Sequence, residues 1–287
     1  MNDRPGALRR RDVQRRFDRA AAHFESADFV HRATADGLFE RMLPIQFASA
    51  RIIDLGCATG QASRALAKRH RRSKIISVDI SGGMLKKAGS AHTRWSRISE
   101  VQADANALPF ASGTTDLVFA NLLLPWIDDV PVFLDEIARV LRQGGLFVFS
   151  TLGPDSLIEL RRVWQNIDSL PHVNQFIDMH DLGDALLHCR LHDPVLDVDK
   201  LTVNYRDIAS LIRDLSHVGA RNSLRNRRRS LTPKGDLAAF RQGLEAQFRE
   251  ATLPLQLEIV YGHAWGSGPP LPPGEYRLDA TRVTRRR

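Results

Sequence analysis

Three aspartates and a glycine turn are the residues of this 287-residue chain best placed to do chemistry. The segment Ile52-Ile53-Asp54-Leu55-Gly56-Cys57-Ala58-Thr59-Gly60-Gln61 runs from an apolar, strand-like stretch into a helix-like one. A glycine turn at the carboxyl end of a first strand is where an open α/β sheet receives a nucleotide-like ligand, because glycine lets the backbone come close. The spacing is Gly-x-x-x-Gly, not the Gly-x-Gly-x-x-Gly of dinucleotide sites. Asp54, beside the turn, suits a ligand with a cationic group better than a pyrophosphate. Asp79 ends the next strand-like run, about 20 residues on, where a carboxylate can accept from both hydroxyls of a ribose. Asp104, in Gln102-Ala103-Asp104-Ala105, ends the third run and suits an adenine amino group. A lone strand-end aspartate is an ordinary turn former or helix cap. Three at the ends of three successive strands, one of them beside a glycine turn, describe a nucleoside site.

The elements that must position these acids follow from hydrophobic periodicity. Residues 8–24 and 28–43 read as helices, with Val13, Phe17, Ala20, Ala21 and Phe24 on one face, and Pro44 ends the second. Arg51–Leu55, Lys74–Val78, Ile98–Gln102, Asp116–Ala120 and Leu146–Ser150 read as short strands. Gln61–Arg69, Ser81–Ala88 and Val130–Leu141 alternate with them as helices. Beyond Thr151 come helices at Asp155–Ile167 and Asp181–His188, an alternating run at Val195–Tyr205, and a helix at Arg206–His217. A basic loop, a helix at Leu237–Arg249 and a final strand at Leu255–Trp265 complete the pattern. The βαβα alternation predicts an α/β protein with a parallel sheet and helices on both of its faces.

Composition narrows the class. An apolar fraction of 43% and a charged fraction of 26% are globular values. Two cysteines, Cys57 and Cys189, exclude a disulfide scaffold and a four-cysteine zinc site. Cys57 reads as a small packing residue. The ten histidines show no metal spacing, and His180-Asp181 reads as a helix cap, so no metal is expected. No apolar run is long enough to span a membrane, and the arginine-rich start lacks the apolar core of a secretory signal, so a cytoplasmic protein is expected. The net charge of +8 is local. Residues 1–20 carry +4, residues 221–234 carry +6, and residues 282–287 carry +4, while the remainder is net −6. Such patches suit an acidic partner.

On these motifs the chain resembles the class I S-adenosylmethionine-dependent methyltransferases. Asp54-Leu-Gly-Cys-Ala-Thr-Gly60 is similar to their first motif, with Ala58 where a glycine is usual. Asp79 matches their ribose acid and Asp104 their adenine-side acid. Asp116-Leu-Val-Phe-Ala-Asn-Leu-Leu-Leu-Pro-Trp126 is similar to their fourth-strand motif, and Leu141-Arg-Gln-Gly-Gly-Leu-Phe147 to the turn before strand five. The resemblance implies a Rossmann-like α/β fold with a seven-stranded, mostly parallel sheet, and S-adenosyl-L-methionine as cofactor. It implies contacts to that cofactor from Asp54, Gly56, Cys57, Ala58, Gly60, Asp79, Ile80, Met84, Asp104, Ala105, Asn121 and Leu122. It divides the chain into an N-terminal helical cap (1–44), a methyltransferase domain (45–265) with a lid insertion at about 206–250, and a flexible C-terminal tail (266–287).

The flanks resemble one branch of that superfamily. Phe17-Asp-Arg-Ala-Ala-Ala-His-Phe24, Asn121-Leu-Leu-Leu-Pro-Trp126, Thr151-Leu-Gly-Pro-Asp-Ser-Leu-Ile-Glu-Leu-Arg161 and His172-Val-Asn-Gln-Phe176 are similar to malonyl-[acyl-carrier protein] O-methyltransferases of biotin synthesis. Phe24 stands where their pattern has tyrosine, with His23 as the neighbour that could compensate. The resemblance implies methylation of the free carboxylate of a malonyl thioester, with an acyl carrier protein as acidic partner and no nucleic acid. A carboxylate is already ionised at neutral pH, so the reaction needs alignment and exclusion of water rather than a general base. Arg161 is the first candidate to hold the carboxylate, with Trp126 and Tyr205 also in the catalytic set, and His172 and Asn174 as further wall or donor residues. The basic segment Arg221–Lys234 and the first helix are expected to receive the carrier. The later segments also resemble an arginine-hydroxylating assembly factor of respiratory complex I, which is the alternative reading. A nucleic-acid methyltransferase is a third, weakened because Asn121-Leu-Leu-Leu stands in place of the Asn/Asp-Pro-Pro-aromatic motif of amino-methylating enzymes.

Overall fold

The computed structural model describes residues 8–47, 49–91, 96–228 and 230–268. Of the expected segments, residues 1–7 of the cap, Arg229 of the basic loop and residues 269–287 of the tail lie outside the described residues.

Helix α1 (Arg10–Ala20) buries Val13 and Ala20 and leaves all its arginines but the half-buried Arg16 exposed. A 3-10 turn at Phe24–Ser26 leads into α2 (Phe29–Met42), which buries Leu38, Phe39 and Met42 against the sheet. Then the expected alternation runs: β1 (Arg51–Leu55), α3 (Gln61–Arg69), β2 (Lys74–Asp79), α4 (Gly82–Ser90), β3 (Ile98–Gln102), β4 (Thr115–Asn121), α5 (Val130–Val140) and β5 (Leu141–Leu152). The second half adds α6 (Ile158–Gln165), α7 (Met179–His188), β6 (Leu191–Tyr205), α8 (Ile208–His217), α9 (Lys234–Glu245) and β7 (Leu253–Gly266). The helix at α7 is capped by Asp178, whose Oδ1 accepts from the His180 amide at 2.7 Å, so the cap stands two residues before the expected His180-Asp181 pair.

The seven strands form one sheet in the order β3-β2-β1-β4-β5-β7-β6. The first five are parallel, and β7 runs antiparallel to both β5 and β6. The order reverses between β1 and β4. That switch point opens a crevice at the carboxyl ends of the strands, where ligands of such sheets bind. One face packs Phe133, Leu134, Ile137, Phe147 and Phe149; the other packs Leu38, Phe39, Leu66, Leu117 and Phe119. Gly262 is required by close packing, because a Cβ there would lie 2.3 Å from the Phe149 ring.

Between β6 and β7 the chain leaves the sheet to form α8, the basic loop and α9. These pack on α6 through Leu160, Val163, Leu211, Phe240 and Leu244. The loop returns to the N-terminus: the Arg9 amide donates to Ser223 O at 3.3 Å, and Leu8, Val13 and Leu224 form a small apolar cluster. The first helix and the segment after α8 therefore cover the crevice together.

Candidate active site

The glycine turn after β1 is held from two sides. The amides of Gly56 and Cys57 donate to Val78 O at 2.7 and 3.0 Å, tying the turn to the end of β2. Gly56, Ala58 and Gly60 all have positive φ (72°, 46° and 75°). Glycine adopts such values freely and alanine does not. The Ala58 amide donates to Asp79 Oδ2 at 3.0 Å, and the Ser81 amide donates to Asp79 Oδ1 at 2.8 Å. Burial pushes the Asp79 pKa up to about 6, with the charge of Asp18 adding to it and the two amide hydrogen bonds opposing it. Each carboxylate oxygen keeps a further lone pair for a ligand hydroxyl.

Asp54 is placed differently. It is buried beneath the turn, where Ser63 Oγ donates to its Oδ2 at 2.5 Å and contacts Ser77 Oγ at 2.7 Å. Burial pushes its pKa up to about 7, and neighbouring Asp79 adds to the rise. Asp104 lies at the far side of the crevice, ion-paired with Arg10 of α1. Cys57 is buried, which pushes its thiol pKa upward and keeps it protonated.

A cleft of about 400 Å³ lies on the carboxyl ends of β1, β2 and β4. Gly56, Ala58, Asp79 and Ile80 line one side, and Asp104, Ala105, Asn121 and Leu122 the other. A smaller recess of about 200 Å³ adjoins it at Gly56, Ala58 and Asn121, lined by Asp28, Asp54, Cys57 and Gln61. Met84 and Gly60 line neither. Met84 is fully buried among Ala20, Phe24 and Val218, because α4 turns it against α1 rather than toward the cleft. Gly60 starts α3, with no room for a Cβ beside Ala88.

A third cavity, of about 360 Å³, lies under α8 and α9. Its walls are apolar and aromatic, including Leu157, Trp164, Tyr205 and Phe240. It meets the 400 Å³ cleft at His31, Leu122 and Trp126, which line both. Leu122 has φ +52°, a turn held by its amide on Ser150 Oγ at 3.0 Å and by the Asn121 side chain, whose Nδ2 donates to His31 O at 2.8 Å. Trp126 packs edge-on against Phe17 of α1 at 5.1 Å. Tyr205 is buried in the wall, and burial pushes its hydroxyl pKa up to about 12.

Two residues lining this cavity each hold a buried polar atom with no hydrogen-bond partner among the described residues: Nδ1 of His31 and Oδ1 of Asn174. Buried polar atoms are ordinarily paired, so these two are exceptions in the cavity wall. Burial pulls the His31 pKa down to about 4, leaving the imidazole neutral at physiological pH. His31 and Asp28 are the residues sequence reasoning missed. Neither belongs to a motif; the entry of α2 brings both to the sheet. His23, by contrast, is exposed and stacks on His217 at 4.9 Å, so it does not stand in for the hydroxyl absent at Phe24.

Arg161 does not line the cavity. Its guanidinium donates to Pro154 O at 2.9 Å, Ser156 O at 3.4 Å and Asn174 O at 3.5 Å. It clasps the segment after β5 to the strand-less stretch that bears Asn174. The expected carboxylate ligand thus lies outside the cavity lining, with three of its five N–H groups on backbone carbonyls. The basic loop is also corrected: Arg227 pairs with Asp12 at 2.7 Å, and Arg228 pairs with Asp168 at 3.3 Å and Asp236 at 3.1 Å. These two charges dock the loop and are already neutralised.

A switch-point crevice with a glycine turn, an acid lining the cleft and an adjoining apolar chamber is the architecture of a methyltransferase. The family model of the methyltransferase domain matches residues 53–149. The fold is shared with YcgJ of Bacillus subtilis (TM-score 0.59, 18% identity, 81% of this chain and 97% of that one). It is also shared with a putative methyltransferase of Bacillus halodurans (TM-score 0.58, 13% identity, 81% and 98%). Among curated proteins, the malonyl-[acyl-carrier protein] O-methyltransferase of Halorhodospira halophila is 36% identical over 98% of this chain and 97% of its own length. That of Laribacter hongkongensis is 36% identical over 88% of each. The match to that of Gallionella capsiferriformans is 41% identical and spans 58% of that protein. The chain belongs to the malonyl-[acyl-carrier protein] O-methyltransferase family.

Proposed function

We propose that the protein transfers a methyl group from S-adenosylmethionine to the free carboxylate of a malonyl thioester borne by an acyl carrier protein, an early step of biotin synthesis. The observation that carries this reading is the junction at His31, Leu122 and Trp126, where the nucleoside cleft opens into the apolar chamber. The names of relatives matched along almost the whole chain support the same reaction.

The residues fit S-adenosylmethionine. Asp79 has lone pairs that would accept from the ribose hydroxyls, Ile80 and Ala105 would hold the base, and Asp104 would accept from its amino group. The recess at Asp28, whose carboxylate also meets Arg32 at 3.2 Å and Gln61 at 2.7 Å, suits the ammonium of the amino-acid end. When bound, this group supplies a methyl on a positively charged sulfur. The chain's own residues do the rest. The malonyl carboxylate arrives ionised, so no side chain must remove a proton. The Asn174 amide, the Tyr205 hydroxyl and neutral His31 offer donors to hold it. Leu122 and Trp126 close the junction against water, which strengthens each polar contact inside.

Two observations bear on the setting. No helix among the described residues is long and apolar enough to cross a membrane. Cys57 and Cys189 are both unbridged, which suits a reducing compartment such as the cytoplasm. The test is transfer of label from methyl-labelled S-adenosylmethionine to malonyl-carrier, malonyl-coenzyme A and nucleic acid. Label on a malonyl thioester supports the reading, and label on nucleic acid alone rejects it.

A further inference from the structure

The chamber has a second, charged mouth. A cleft of about 530 Å³ lies between α1 and the loop after α8. Six arginines line it (Arg15, Arg16, Arg19, Arg221, Arg227 and Arg228), with Asp12 as the acid among them. Asp12 is spent on Arg227, while Asp168 and Asp236 neutralise Arg228. The guanidinium groups of Arg15, Arg16, Arg19 and Arg221 have no ion pair or side-chain hydrogen bond among the described residues. Arg16 is half-buried, and like charges crowd it. Burial first, then Arg227 and Arg221, pull its pKa down to about 10.

This crowding is built into the fold. Gly219 ends α8 at φ +74°, and a Cβ there would lie 3.1 Å from the Phe17 ring, so the chain passes tight against α1. The Asn222 side chain then pins the loop, donating to Pro171 O at 2.5 Å and accepting from the Leu224 amide at 3.0 Å. The cleft and the apolar chamber share His172, Ser216, Arg221, Asn222 and Thr232 as lining. The arginine-lined cleft, the apolar chamber and the nucleoside cleft therefore adjoin in series through shared lining residues.

We propose that Arg16 and Arg221 bind the phosphate at the base of a pantetheine arm, whose thioester end lies in the apolar chamber. The inference rests on the carrier-thioester reading above and adds its anion site. A phosphate at one end of a long, weakly polar arm matches a series that is cationic at the mouth and apolar within. Arginine's planar fork suits phosphate oxygens, and several unpaired forks in one enclosed cleft relieve their mutual repulsion on an anion. A carrier protein presents this group as a phosphodiester, and coenzyme A presents it as part of a diphosphate; the cleft recognises the shared 4′-phosphate.

The test is equilibrium binding by calorimetry, which needs no turnover. Malonyl-4′-phosphopantetheine is compared with malonyl-pantetheine on the native protein and on Arg16→Gln/Arg221→Gln. The native protein is expected to bind the phosphorylated ligand about tenfold more tightly, the size of a charge-assisted contact. In the double variant the two affinities converge. Equal affinities in the native protein, or a preference that survives in the variant, overturn the proposal. The same variant is titrated with malonyl-carrier and malonyl-coenzyme A. A loss of about fivefold or more on either one supports the site and names the source of the phosphate, and a loss on neither overturns it. Failure of methyl transfer to every malonyl thioester, with the phosphate preference intact, would reject the reaction and leave the anion site standing.

Discussion

Asp79 Oδ2 accepts a 3.0 Å hydrogen bond from the amide of Ala58, a residue held at φ +46°. One carboxylate thus fixes the glycine turn and faces the cleft beyond it. The turn tolerates alanine at a left-handed position because β1, β2 and Asp79 hold it there, and the methyl group pays in backbone strain.

Ala58→Gly should relieve that strain. The expected gain is about 0.5–1 kcal/mol in unfolding free energy, read from urea denaturation midpoints. Ala58→Val should lose more than that, because a branched side chain is worse still at positive φ. A destabilised glycine variant would show that the alanine side chain makes a compensating contact.

The buried acids make binding depend on pH. Asp79 in the folded protein titrates at about 6, above its ordinary 3.8, and Asp54 at about 7. An acid with a raised folded pKa is fully compatible with the fold below its unfolded pKa. Its contribution then turns unfavourable as pH rises through the folded value, so these two groups lower stability between about pH 4 and pH 7. Ionised Asp79 is the better acceptor for ribose hydroxyls. S-adenosylhomocysteine should therefore bind about tenfold more tightly at pH 7 than at pH 5, and Asp79→Asn should remove the difference. A native affinity that is flat across this range contradicts the assignment.

His31 tests the junction. Its imidazole is neutral because burial pulls its pKa to about 4. His31→Phe should lower kcat for methyl transfer by about 10–100-fold, the cost of one well-placed donor, while His31→Gln keeps a donor and loses less than tenfold. The native rate should show no inflection at the ordinary histidine pKa. An inflection near 6.5 that disappears in His31→Phe would mean that the charged imidazole acts instead.

The legible parts of this protein were those written in adjacent residues. The glycine turn, Asp79, Asp104 and the alternation of strand and helix each lie within a few residues of the feature that defines them. His31 was not legible, because nothing near it in sequence marks it; the entry of α2 places it at the junction. Asp54 belonged to the right motif, yet Ser63, nine residues on, turned its carboxylate under the loop. The basic loop is plain in the distribution of charge, but the partner of Arg227 is Asp12, 215 residues away in sequence. Arg161 lies outside the chamber lining for a similar reason. Its helix follows β5 as expected, but Leu157 takes φ +59° at the start of that helix, and the guanidinium bonds the carbonyls of the preceding segment and of Asn174.

Arg161→Gln should therefore act through structure. The loss of its carbonyl contacts should cost about 1–3 kcal/mol of stability, measured by denaturation. Methyl transfer per folded molecule should fall less than tenfold, mainly as a raised KM from displaced Asn174. A folded variant whose kcat drops a thousandfold would return Arg161 to direct contact with the substrate.

The central claim is that the chamber delivers a free carboxylate to the methyl donor at the His31–Trp126 junction. The most direct measurement is transfer of labelled methyl from S-adenosylmethionine to malonyl-carrier, with acetyl-carrier as the control that lacks the carboxylate. The account predicts label on malonyl-carrier alone, released as methanol by mild base because it is held as an ester. Label on acetyl-carrier, or base-stable label on the carrier protein itself, would contradict it.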